Sequence, residues 1–392
     1  MTARITGKVT PRFEPGVLSY QQVKDAVKAK WVRSAVPLEE RQFQPSSLDL
    51  RLGEKAYRIV ASFLPQNTTV LDRVEPDPVI DMYETDLMMY SLDLRGGAIL
   101  EKGAVYLVPL LEELRLPPEV RAKSNPKSTT GRLDIFTRVI TDLTPRFDEI
   151  RPGYHGKLYL EVVPRSFSVR VATGMSLNQV RFMVGDCSIS DAEIGALHDQ
   201  EGLLFSESGG QIPREGLTIH DGLFMSVDLV GKDTNGVVGF KSKKNSQVID
   251  LSRVDYYDPH EYWEPIHHHP KDSLVVEPEE FYMFASKERI RVPPAYAAEM
   301  VAYDSGSGEL RTHYAGFFDA GFGYGRGEIK GTRVVMEVRA RDVPFLICDG
   351  QTFFKVKYER MAETPAKVYG ELGSSYQHQS LTLSKHFRSI LE

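Results

Sequence analysis

Short runs of alternating apolar and polar residues recur along the chain, and their period of two predicts strands rather than helices. Lys157-Leu-Tyr-Leu-Glu-Val-Val places Leu158, Leu160 and Val162 on one face and Tyr159, Glu161 and Val163 on the other. Runs of the same kind occupy residues 166–172, 176–184, 333–338 and 352–358, parted by Pro, Gly and Asp turns. Helical patterns are few. Ser19-Tyr-Gln-Gln22 reads as a capping box opening a short helix through Ala29, and Ser190-Asp-Ala-Glu193 as another running toward His198. This spacing predicts an all-β fold of compact barrels or sandwiches, with a few short helices, rather than a βαβ architecture.

The pattern also repeats. Pro117-Pro118 recurs as Pro293-Pro294, Glu161 in Leu-Tyr-Leu-Glu-Val as Glu337 in Val-Val-Met-Glu-Val, and Gly174 as Gly350, each 176 positions later. Earlier anchors drift slightly: Ser47-Leu-Asp49 matches Ser226-Val-Asp228, and Leu71-Asp-Arg-Val matches Leu251-Ser-Arg-Val. Five ordered anchors at nearly one offset imply a tandem duplication, and the period is too long for a solenoid, so each copy is expected to be a domain. The segment 200–216, with Ser-Glu-Ser-Gly-Gly-Gln and Pro213, has linker composition. The expected division is therefore 1–199, a linker at 200–216, and 217–392.

Composition narrows the function classes. The 392 residues give room for two cores, and a net charge of −6 without a Lys/Arg block argues against a general nucleic-acid binder. Cys187 and Cys348 form neither a disulfide framework nor a zinc ribbon. With no long apolar run, the sequence is expected to belong to a cytoplasmic protein without a membrane partner.

Several segments carry candidate chemistry. Lys127-Ser128-Thr129-Thr130-Gly131-Arg132 gathers cations, hydroxyls and a glycine that can converge on phosphate oxygens, or form a plain polar turn. Glu161 and Glu337 sit in apolar strands, where a desolvated carboxylate can shuttle protons; the bland alternative is a solvated face or an arginine partner. Ala315-Gly-Phe-Phe-Asp319-Ala-Gly-Phe-Gly323 is a glycine-rich hairpin able to approach a base and sugar, or an ordinary tight turn. The tail Tyr369 to Gln379 suits a lid or a frayed end. His267-His-His269 lacks a carboxylate spacing that would complete a metal site, and no metal ligands are expected. The H-x-E and P-C-x-x-C pattern of zinc deaminases, the Walker A loop and the G-x-S-x-G elbow are all absent.

Taken in order, these segments resemble the dCTP deaminase branch of the deoxyuridine triphosphatase superfamily, in its long duplicated bacterial form. The resemblance rests on Gln44-Pro-Ser-Ser-Leu-Asp-Leu-Arg-Leu-Gly53, Lys127 to Leu133, Ile150 to Glu161, Gly174 to Gln179, the 315–322 hairpin, and Gly373-Ser-Ser375-Tyr376-Gln-His-Gln379. It implies tandem dUTPase-like (β-clip) distorted barrels that hydrolyse dCTP to dUTP and ammonia without zinc, supplying dUTP for thymidylate synthesis. Mg²⁺ would arrive on the substrate triphosphate, dTTP is a candidate inhibitor, and a homo-oligomer, a homotrimer by preference, is implied. Glu161 is the first candidate proton shuttle and Glu337 the second. Lys127, Ser128, Thr129 and Arg132 would hold phosphate or position the base. Asp319, with Ala315, would recognise the sugar, and Ser375, Tyr376 and Gln379 would close over the triphosphate.

Each copy departs from the pattern where the other keeps it. The first has extra residues in its hairpin, 141–150, and the second has Ser305-Gly-Ser-Gly-Glu-Leu-Arg311 where the phosphate motif belongs. Two arrangements follow. Either the intact parts face each other in one composite site, or stacked rings form sites between like copies, served by Glu161. A deoxyuridine triphosphatase or bifunctional enzyme, with Asp319 activating water, is the enzymatic alternative, and a catalytically silent nucleotide-binding regulator is the other.

Overall fold

The computed structural model describes residues 13–75, 87–302, 310–313, 316–340 and 342–390. Strands dominate, and the duplication is visible strand by strand. In the first copy Val105–Arg115 pairs with Val32–Ser34, Lys55–Ile59 and His155–Pro164; in the second Tyr282–Ile290 pairs with Leu204–Phe205, Val237–Ser242 and Thr332–Ala340. On the other sheet Asn178–Val184 joins Leu48–Leu50 to Val120–Pro126, as Thr352–Arg360 joins Leu223–Ser226 to Tyr296–Ala302. A small third pairing, Ala98–Leu100 with Val169–Val171, recurs as Ser273–Val276 with Phe345–Cys348.

Both anticipated capping boxes are formed. Ser19 and Gln22 cap the helix Tyr20–Lys28, and Ser190 and Glu193 cap Asp191–Glu201. The boxes hold corresponding places, 171 residues apart, and Ile194 and Leu197 of the second helix lie in the second copy's core. Packing thus groups this helix with the second copy. Residues 200–216, read from composition as a linker, include Leu204–Phe205, which adds to the second sheet beside Arg289 and Ile290.

The strand His155–Pro164 is covered on both sides. Leu158, Leu160 and Val162 enter the main core, while Tyr159 meets Tyr57, Ile59, Val70 and Val74 in a separate cluster. The helix Val70–Val74 supplies that second cover, so Glu161 is fully buried.

The two copies are not simply strung together. The first core takes in Phe240, Trp263 and Phe281 from the second copy, and Phe167 meets the Trp263 ring at 5.4 Å. Removing side chains of this size from water stabilises by about 2–3 kcal/mol each. Ile249–Asp250, from the second half, runs parallel to Val169–Val171 and extends the first copy's small sheet, with Asp250 paired to Arg170 at 3.1 Å.

Candidate active site

The two copies meet at a cavity of about 280 Å³. One wall comes from the first copy: Asp49, Lys127, Ser128, Thr129, Arg132 and Gln179. The opposite wall and roof come from the second: Phe317, Phe318, Asp319, Glu337, Ser375, Tyr376 and Gln379.

The first-copy wall is held by a short turn. Strand Val120–Pro126 ends in a proline, and Lys127 leads into the single helical turn Ser128–Gly131. Thr130 Oγ1 donates to the Leu177 carbonyl at 2.8 Å, which fixes the turn to the neighbouring strand. Lys127 Nζ bonds the Asp49 carboxylate, whose burial pushes it toward the neutral form while Lys127 opposes that shift. The other Asp49 oxygen, Oδ1, is buried and has no hydrogen-bond partner. An unpaired carboxylate oxygen beside a lysine and a hydroxyl-rich turn is chemically able to take an outer contact from a hydrated cation.

The tail is ordered across this wall. Arg132 donates from Nη1 to the Thr382 carbonyl at 2.8 Å and from Nη2 to Gln379 Oε1 at 2.5 Å, with its guanidinium 3.7 Å from the Tyr376 ring centre. The Tyr376 hydroxyl lies 3.2 Å from Thr129 Oγ1 and accepts from the Lys385 amide. Ser384 Oγ donates to the Thr129 carbonyl at 3.0 Å. The tail therefore lies over the first copy's turn as a cover, rather than as a frayed end.

The hairpin Phe317–Phe318 pairs with Ala298 and Glu299, and its following residue Asp319 turns inward. Ser46 and Ser47, two residues of the Gln44–Gly53 segment, donate to Asp319 Oδ1. Burial pushes the Asp319 carboxyl up, opposed first by Arg181 and then by the Ser46 hydroxyl. The hairpin's glycines serve the protein itself. Gly323 has φ +62°, and a Cβ there would lie 2.1 Å from the Ile290 carbonyl oxygen. Gln377 bridges this turn, accepting from the Gly323 amide and donating to the Gly321 carbonyl.

The two glutamates differ in setting. Glu337 lies in the wholly buried strand Thr332–Ala340, is 1% exposed, and lines the cavity. Glu161 does not line it: Glu161 Oε1 accepts from Arg138 Nε and Nη2 at 3.0 and 2.6 Å. The Arg138 guanidinium lies 3.6 Å from the centre of the Phe147 ring, which comes from the extra hairpin residues 141–150. The arginine-partner alternative thus describes Glu161. Strand pairing also sets Ile150 of the first copy opposite Ala122, as Phe318 is opposite Ala298, which puts Arg151 at the position of Asp319.

Of the residues singled out from sequence, the cavity brings together Lys127, Ser128, Thr129, Arg132, Asp319, Glu337, Ser375, Tyr376 and Gln379. Ala315 and most of the 305–311 segment lie outside the described residues. Sequence reasoning passed over Arg41 and Lys385, which also line the cavity, and gave no role to Asp49 and Gln179, which do so too. Asp49 had a signal, since it stands in the Ser-Ser-Leu-Asp motif; Arg41 and Lys385 had none.

Metal placement follows charge. Among the described residues one acidic group, Glu207, Asp228 and Asp233, is close enough to share an ion. Arg333 already occupies its centre, at 3.2, 2.6 and 3.1 Å from the three. His268 bonds Asp272 at 2.6 Å in an exposed turn. No helix among the described residues is long and apolar enough to cross a membrane.

The family models for the N-terminal and C-terminal domains of 2'-deoxycytidine 5'-triphosphate deaminase match residues 14–186 and 190–387. A crystal structure of 2'-deoxycytidine 5'-triphosphate deaminase from Agrobacterium tumefaciens superposes with a TM-score of 0.83 at 41% identity, covering 92% of this chain and 100% of that one. A "dCTP deaminase, dUMP-forming" from Methanothermobacter thermautotrophicus is 31% identical over 125 residues, 31% of this chain and 55% of that protein, so the match spans about half of that relative. A protein of the same name from Coprothermobacter proteolyticus is 28% identical over 172 residues, 42% of this chain and 82% of its own. The strand order and the paired motifs agree with these matches: the chain belongs to the 2'-deoxycytidine 5'-triphosphate deaminase family.

Proposed function

We propose that this chain converts dCTP and water to dUTP and ammonia without zinc, using one site built from both copies. The observation that carries this reading is the convergence on one cavity of the Lys127–Arg132 turn with Asp319, Glu337 and the tail. Ser128 and Arg132 take phosphate oxygens or position the base, Asp319 engages the deoxyribose, and Tyr376 and Gln379 close over the triphosphate. Mg²⁺ bound to the triphosphate neutralises its charge, with Asp49 and Lys127 at that end.

Water adds to C4 of the cytosine while Glu337 takes its proton. The carboxyl hands that proton to the ring nitrogen N3, then takes the proton of the new C4 hydroxyl and passes it to the amine, so that the C4–N bond breaks as the C4 carbonyl forms and ammonia leaves. Burial of Glu337 keeps that proton beside the ring rather than in bulk water. The resemblance further favours a homotrimer in the cytoplasm, with dTTP as a competing ligand.

A second reading, a bifunctional enzyme that continues to dUMP, is favoured by the names of the two relatives above. The test is ammonia and pyrophosphate release from dCTP and dUTP with Mg²⁺. Ammonia alone from dCTP fits the deaminase, ammonia with pyrophosphate fits the bifunctional enzyme, and dCTP binding without ammonia leaves a regulator.

A further inference from the structure

Arg181 lies in the first-copy strand Asn178–Val184, outside the cavity, yet its side chain is 0% exposed and turned toward the second copy. Nη2 donates to the Phe318 carbonyl at 3.2 Å and to Ser46 Oγ at 3.4 Å, and lies 3.8 Å from Asp319 Oδ1. Nη1 donates to the Ala298 carbonyl at 3.2 Å and to Glu359 Oε2 at 2.8 Å. The guanidinium plane stands 4.0 Å from the Phe317 ring centre. One side chain therefore touches Phe317, Phe318 and Asp319, three consecutive buried residues of the hairpin. Strand pairing puts Lys357 at the corresponding position of the second copy, where it is 42% exposed and bonds Asp221 instead.

We propose that Arg181 is a positioning residue for sugar selection: a first-copy guanidinium that holds the second copy's Phe317–Asp319 hairpin in the geometry that separates deoxyribose from ribose. The proposal rests on the reading that Asp319 engages the sugar. Only a forked, planar cation spans a carbonyl on one strand, a hydroxyl from another and an aromatic face at once. Without it, the Phe318 carbonyl loses a buried donor and Asp319 loses the cation that counters its burial. The hairpin and the charge of its carboxylate then both relax, and a 2'-hydroxyl is no longer excluded.

The test compares wild type, Arg181→Met and Arg181→Lys with dCTP and CTP, measuring kcat and KM separately. Arg181→Met is expected to raise KM for dCTP about 10–100-fold, with kcat changed less than about threefold, and to lower the dCTP/CTP preference in kcat/KM about tenfold or more. Arg181→Lys, which restores charge without the fork, is expected to recover part of the KM but little of the preference. A folded Arg181→Met with unchanged dCTP/CTP preference overturns the proposal. If Arg181→Met does not fold, an unchanged preference in Arg181→Lys overturns it in the same way. Should the wild type release no ammonia, the deaminase reading fails on its own, and the same dCTP and CTP comparison by direct binding still decides the role of Arg181.

Discussion

Lys123 and Glu299 hold the same position in the two copies, 176 residues apart, and their side chains meet at 2.6 Å. Identical residues at this position would set like charges face to face. The two copies differ in sign here, so the contact is attractive and helps tie the copies together. Lys123→Glu alone is expected to lower stability by about 1–2 kcal/mol, because it adds repulsion to the lost pair. Combining it with Glu299→Lys is expected to restore most of that loss. Thermal unfolding of the singles and the double measures the coupling, and a double no more stable than the Lys123→Glu single would refute it.

The proposed mechanism assigns turnover to Glu337 and leaves Glu161 a structural role. Glu337→Gln is expected to reduce kcat about 10²–10⁴-fold with little change in dCTP binding. Glu161→Gln is expected to keep kcat within about threefold and to lower stability by about 1–2 kcal/mol, since its charged bond to Arg138 is weakened. Ammonia release and melting temperature, measured on both variants, check the assignment; loss of turnover in Glu161→Gln alone would move the chemistry to the first copy.

How much of this was readable beforehand differs by feature. Strand content and duplication followed from local periodicity and the anchors 176 positions apart, because both depend on neighbours in the chain. The anchor at Ser47–Asp49 was misplaced: Leu48 lies opposite Val180 as Leu223 lies opposite Val356, so it corresponds to residues 222–224 and not to Ser226–Asp228. The choice between Glu161 and Glu337 was not readable in this way, because it depends on Arg138 and Phe147 filling the space beside one and on the other facing the cavity between the copies. The placement of the helix Asp191–Glu201 was open to sequence, since its capping box matches that of Ser19 to Gln22. Linker-like composition at 200–216 concealed the match. Arg181 gave no signal: an arginine inside an apolar strand acquires meaning only when the other copy's hairpin is laid against it.

The tail's hold can be graded at Tyr376. Tyr376→Phe keeps the ring beneath Arg132 but loses the bonds to Thr129 and the Lys385 amide, whereas Tyr376→Ala loses both. KM for dCTP is expected to rise a few-fold in the first and about 10–100-fold in the second, as a cation–π contact of about 1–2 kcal/mol is added to the lost hydrogen bonds. Steady-state kinetics with dCTP gives the order, and equal values for the two variants would remove the stacking from the account.

Asp148 makes a pH-dependent cost. Its Oδ1 accepts from Ser124 Oγ and the Val139 amide, while burial pushes its pKa up from 3.8 to about 6. A carboxyl whose folded pKa lies above the unfolded one weakens the fold as pH rises from about 4 to 6, and the loss is complete above that. Asp148→Asn keeps the acceptor, removes the charge and suits the residue's φ of +61°. It is expected to raise stability by about 1–3 kcal/mol at pH 8 and by much less at pH 4.5. Melting temperatures at the two pH values test this, and a variant destabilised equally at both would refute it.

The short parallel strand Ile249–Asp250 sets the order in which the molecule can be completed during synthesis. The first copy leaves the ribosome early, but its small sheet stays open at Val169–Val171 until residue 250 has emerged. Its phosphate-type turn then remains uncovered until the tail at Tyr376 to Ser384 arrives. The half made first is finished last, so a nascent chain stalled after the strand Thr352–Arg360 but before Tyr376 carries both barrels and an unroofed pocket.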